Sequence, residues 1–252
     1  MITDNRQRTT DNPPGPAGGQ HIMGGPSMVS PQGPVGSQWS SHRARWVVNI
    51  LAHFFSYVLH PLFIPLYAIS FLVFLHPSCF AGFAPYEKYR VLLTTALNTI
   101  FFPAFAVLLM KGLGFIKSVF LRTQQDRIGP YLSSMIFYFN IAWTFFKMDP
   151  QLALILPSFM TGVFLTTVVG LLSNIYFKIS MHAMGMGGLL GLFLIIMQGN
   201  TMLMTWPLCI ALLLTGIVCT SRLIVSSHTS KEIYWGLFFG LICQFAAAIF
   251  IL

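Results

Sequence analysis

Between two apolar runs stands the polar stretch "SRLIVSSHTSKEIYWG", Ser221–Gly236. His228 and Glu232 are four residues apart, so on a helix that begins near them they share one face and can touch. A carboxylate that holds one imidazole nitrogen leaves the other basic and aimed, as a nucleophile or general base requires. Arg222, just past an apolar run, can fork two hydrogen bonds onto a phosphate or carboxylate.

Two further polar stretches carry compatible groups. "NIYFKISMH" holds Ser180 and His182, the latter at the expected start of a helix whose N-terminus favours a bound anion. "KGLGFIKSVFLRTQQDRIGP" holds Arg122 and Arg127 with Asp126 between them. Together these residues suit phosphoryl transfer. Guanidinium groups neutralise phosphoryl oxygens, one histidine attacks, and the other protonates the leaving oxygen. The scheme needs no metal and no cofactor, and the sequence shows no ligand set for either.

A membrane bundle has to position them. The chain has 252 residues, of which 55% are hydrophobic and only 8% charged, against about 25% charged in a soluble domain. Residues 1–42 are rich in Gly, Pro and Ser with almost no aliphatic run, and cannot bury enough surface to offset their chain entropy. The expected organisation is a disordered tail over 1–45 and one transmembrane domain over 46–252. That domain reads as an all-α, polytopic bundle of six to seven spans. Its first segment, Trp46–Leu75, is interrupted by Pro61 and Pro65, which suggests an interfacial helix followed by a span from about Pro61. Further spans are expected at about Tyr89–Met110, Gly129–Phe146, Leu152–Ser173, His182–Gln198, Leu203–Thr220 and Tyr234–Leu252.

Counting crossings gathers the chemistry. The three polar stretches follow the second, fourth and sixth spans, so all three emerge at one end of the bundle. Clustering of this kind points to a site. The formal charge of +8 is scattered between apolar runs, which suits anionic lipid or a phosphate substrate and not nucleic acid. Cys79, Cys209, Cys219 and Cys243 lack metal spacing and read as buried, small apolar side chains. His53, His60 and His76 read as satisfied or interfacial. In "GMGGLLG", Gly187 and Gly191 stand one turn apart, a pattern that lets helix backbones approach.

The spacing Ser221-Arg222, five residues, His228, three residues, Glu232, then Gly236 resembles the third signature of the type-2 phosphatidic acid phosphatase superfamily. That signature has Asp where Glu232 stands. "ISMHA" is similar to the second signature, Pro-Ser-Gly-His, keeping Ser180 and His182 but with Ile179 and Met181 in the Pro and Gly places. "RTQQDRIGP" resembles the first signature loosely, with Arg127 in the place of its arginine and Arg122 in that of its lysine. The resemblance covers roughly residues 120–240. It implies a metal-independent membrane phosphatase, multi-pass in a bacterial cytoplasmic membrane, acting on a lipid phosphate or diphosphate through a phosphohistidine. His228 would be the nucleophile, Glu232 its orienter and His182 the general acid. Arg222, Arg127, Arg122 and Ser180 would hold phosphate.

Two other classes use the same residues differently. A binding or transport protein would hold an anion on the basic face without turnover, and a scaffold would use the polar loops only to set topology. If the first long segment crosses once, the positive-inside rule puts the polar end in the cytoplasm; if that segment is re-entrant, the polar end faces outward.

Overall fold

A computed structural model describes residues 35–116, 124–199, 201–225 and 228–252. Residues 1–34, most of the expected tail, lie outside it. The chain divides at Ser41–His42, and the account below concerns the unit His42–Leu252. Among the described residues there is no strand. The helices are α1 (Val35–Val58), α2 (Ile64–Phe74), α3 (Pro85–Ala96), α4 (Phe102–Gly112), α5 (Gln124–Lys147), α6 (Ile155–Tyr176), α7 (Met181–Gly199), α8 (Thr201–Ile224) and α9 (Ser230–Ile251). Helix α1 begins upstream of Trp46, inside the stretch expected to be tail.

Five helical segments among the described residues are long and apolar enough to cross a membrane: Pro85–Gly112, Ile155–Tyr176, Met181–Gly199, Met204–Ile224 and Ser230–Ile251. These coincide with five of the expected spans, and the pattern is that of an integral, multi-pass membrane protein. The other two expected spans are not among these five. The stretch after Pro61 forms only α2, 11 residues, or about 16 Å against a bilayer core of about 30 Å. Pro61 and Pro65 break the segment at Leu59–Phe63, with Pro65 seated in the first turn of α2 where its missing N–H is harmless. Helix α5 is long enough, but Gln124, Gln125, Asp126 and Arg127 at its start and Lys147 at its end leave it less apolar than the five.

Helices α3 and α4 form one continuous rod through a π turn at Leu97–Phe101. Pro103 accounts for the irregularity: it cannot donate to residue 99, and its ring crowds that carbonyl. The buried centre draws Ile69 and Leu72 from α2, Ile141 and Phe145 from α5, Phe159 and Met160 from α6, and Met186 and Leu192 from α7.

The contact that sets the site is α7 against α9. A Cβ on Gly187 would strike the carbonyl oxygen of Leu237, and one on Gly240 would strike that of Met184. A Cβ on Gly236 would lie 2.8 Å from the carbonyl oxygen of Ser180. Glycine on both faces lets the two backbones touch. Residue numbers rise together along this seam, so α7 and α9 run parallel and begin at the same end.

Candidate functional site

Each expected site residue is held by the way its helix starts or stops. Helix α9 opens with Thr229 as N-cap, its hydroxyl oxygen accepting from the Glu232 N–H. The cap puts Glu232 in the first turn and leaves His228 one residue outside the helix. Both side chains still meet, His228 Nδ1 lying 2.7 Å from Glu232 Oε2. The carboxylate accepts, so Nδ1 carries the hydrogen and Nε2 keeps its lone pair. Burial pushes the His228 imidazole below its ordinary value of 6.5, partly offset by the raising effect of the Glu232 bond; the charges of Arg222 and Lys178 push it down further.

Ser180 caps α7. It is fully buried, and its Oγ accepts from the Ala183 N–H at 3.4 Å. Its own N–H donates to the Glu232 carbonyl at 3.4 Å, tying the start of α7 to the start of α9. Its visible work is therefore capping, through one oxygen lone pair. His182 follows in the first turn. Its Nε2 lies 2.9 Å from the carbonyl oxygen of Ser56, which can only accept, so Nε2 is the protonated nitrogen and Nδ1 the free one. Its ring also meets that of His60 edge-on, with centroids 5.2 Å apart.

Arg222 sits in the last turn of α8. One terminal nitrogen donates to Ser56 Oγ at 3.4 Å. Its Nε is buried with no partner among the described residues. An unpaired buried donor on a guanidinium requires explanation, and an anion is the simplest partner for it. Arg127, in the first turn of α5, lies within range of the Arg222 charge and of Tyr131. His182 lies in the field of Arg222, His60 and His228.

The fold thus brings His228, Glu232, His182, Ser180, Arg222 and Arg127 to one end of the bundle, from three helix starts and one helix stop. Arg122 lies outside the described residues. Ser56 and His60 belong to the same cluster and were not expected there. The available signal for His60 was a titratable group followed by Pro inside an apolar run, where such residues mark pathways and sites. Nothing in the sequence singled out Ser56.

Among the described residues, no three His, Cys, Asp or Glu side chains are grouped to hold a metal ion. All four cysteines are free, and Cys209 is exposed where a buried side chain was expected. Compared with known proteins, the chain matches no family model, no curated protein and no solved structure.

Proposed function

We propose that the chain is an integral membrane phosphatase that hydrolyses a lipid phosphate or diphosphate through a phosphohistidine intermediate. The observation that carries this reading is the pairing of an aimed imidazole with an unsatisfied guanidinium. His228 keeps Nε2 free because Glu232 holds Nδ1, and it lies in the field of Arg222, whose buried Nε has no partner among the described residues. The spacing of the third signature adds to it.

In the proposed first step, phosphoryl oxygens bind Arg222 and Arg127. His228 Nε2 attacks phosphorus as the bond to the lipid oxygen breaks. Glu232 stabilises the imidazolium that forms. With Nε2–H kept on the Ser56 carbonyl, His182 acts in its doubly protonated form, and its second proton, at Nδ1, passes to the leaving oxygen. In the second step water attacks the phosphohistidine, gives its proton to His182 and releases inorganic phosphate, restoring His228.

The test is phosphate release by purified protein in detergent with chelator present, using phosphatidate, a polyprenyl diphosphate and a lipid A-type phosphate. Release that vanadate inhibits and His228→Ala abolishes is the expected result, with acid-labile phosphate trapped on His228. Full activity in His228→Ala would remove the mechanism. Lipid affinity that survives His228→Ala and falls with Arg222→Ala, without any turnover, would instead mark an anion-binding or transport protein.

A further inference from the structure

Beneath the cluster lies an internal cavity of about 160 Å3. Its lining includes His60, Pro61, Tyr131 and Met181, and also Phe159 and Gln244. His60 therefore belongs both to the cavity lining and to the polar cluster, where its ring meets His182. We infer that this cavity holds one hydrocarbon chain of the lipid whose phosphate sits at Arg222 and His228.

Three observations support an alkyl occupant. The walls are mainly apolar, with Ile64, Pro103, Val107, Val163 and Met184 among them. Three polar residues of the lining are turned inward on their own bonds. Thr166 and Thr167 donate to the carbonyls of Gly162 and Val163 at 2.7 and 2.9 Å, and Gln244 donates to the Phe159 carbonyl at 3.3 Å. Groups already paired gain little from water or a polar ligand, so the surface offered is methyl and methylene. The third observation concerns glycine. Gly187 and Gly191 are required by the close packing of α7 on α9, but Gly185 and Gly188 line the cavity. A Cβ on Gly188 would find its nearest neighbour, Gln244 Nε2, at an ordinary 3.5 Å, and one on Gly185 would find Pro61 Cβ at 3.4 Å. Packing does not require glycine at these two positions; its effect there is to keep the cavity open.

The depth sets a chain length. The lining residues Met181 and Gly188 stand two turns of α7 apart, roughly 10 Å, the length of about eight extended methylenes. This inference depends on the phosphatase reading only for the identity of the head group.

The test uses n-alkyl phosphates of four to sixteen carbons in detergent, and one long alkyl phosphate carrying a diazirine at its eighth carbon. For the full chain, kcat/KM should rise roughly threefold per methylene up to about eight carbons and then level. Photolabelling should fall on α6 and α7 near Val163 and Gly188. Gly188→Leu and, from the opposite wall, Thr167→Phe should each lower the long-to-short ratio of kcat/KM at least tenfold and abolish the label. Gly188→Ala, which fits, should retain both. Labelling confined to the outer faces of the helices, or a ratio that neither variant moves, would overturn the inference. Correct labelling without phosphate release would sink the phosphatase reading and leave the chain site standing.

Discussion

His182 donates its Nε2–H to the backbone carbonyl of Ser56, 2.9 Å away, although the two residues are 126 apart in sequence. This bond decides which nitrogen can do chemistry. Any proton that His182 gives or takes passes through Nδ1, because Nε2 is committed to a carbonyl that cannot let go of its donor without loss. Arg222 reaches the hydroxyl of the same Ser56. One residue of α1 thus orients both the proposed acid and the proposed phosphate ligand.

The first prediction separates these roles of His182. Glutamine can keep a donor on the Ser56 carbonyl but cannot shuttle a proton. His182→Gln should therefore leave the thermal midpoint nearly unchanged. It should slow hydrolysis of alkyl phosphates, whose leaving oxygen needs a proton, by roughly 10^2- to 10^4-fold. A nitrophenyl phosphate, with a leaving group that departs unaided, should be affected far less. Equal losses on both substrates would show that His182 is not the acid.

The pH profile tests His228. Attack requires the neutral imidazole, and burial holds this group below 6.5, so the acid limb of kcat/KM should fall below that value. The bond to Glu232 acts the other way and raises it. Glu232→Gln removes the charge while keeping an acceptor for Nδ1. The limb should therefore move to still lower pH while kcat drops roughly a hundredfold, since the imidazolium loses its stabilising carboxylate. A limb that moves to higher pH in this variant would contradict the assignment of the pair.

Some of this was legible in the sequence and some was not. The five strongest spans were, because a long apolar run leaves few other structures open to it. The His228–Glu232 contact was too, though the expected cause differs: both were to share a helix face, whereas the Thr229 cap ends the helix between them and the side chains meet across it. The stretch after Pro61 was less legible, because its prolines confine α2 to 11 residues, and the charges at the ends of α5 dilute its apolar pattern. His60 and Ser56 escaped notice for another reason. Their partners are more than a hundred residues away, and only the break at Leu59–Phe63 turns the chain so that His60 meets His182. Local spacing holds no trace of such a contact.

Arg222 offers a trade between stability and function. Its buried Nε has no partner among the described residues, so the folded state holds an incompletely paired charge. Arg222→Met keeps the length of the side chain and removes the charge. It should raise the thermal midpoint by roughly 2–4 °C and abolish both turnover and vanadate binding. Arg222→Lys keeps charge without the planar fork and should weaken vanadate binding by about tenfold or more. A fall in the midpoint for Arg222→Met would mean that the guanidinium is structurally satisfied and that its pairing holds the helices together.

The parallel seam of α7 and α9 carries the last prediction. His182 and Ser180 lie at one end of α7, and His228 and Glu232 at the matching end of α9, so the distance between the helices sets the distance between the proposed acid and nucleophile. Gly240 is the tightest point, where a Cβ would strike the Met184 carbonyl oxygen, a backbone atom that cannot rotate away. Gly240→Ala should destabilise the protein by about 1–3 kcal/mol, as overpacking does elsewhere, and lower kcat as the helix starts separate. Gly216 on α8 is the control. Nothing lies within 4 Å of a Cβ there, so Gly216→Ala should stabilise slightly through helix propensity. If the two variants behave alike in both midpoint and kcat, the close approach of α7 to α9 does not position the site.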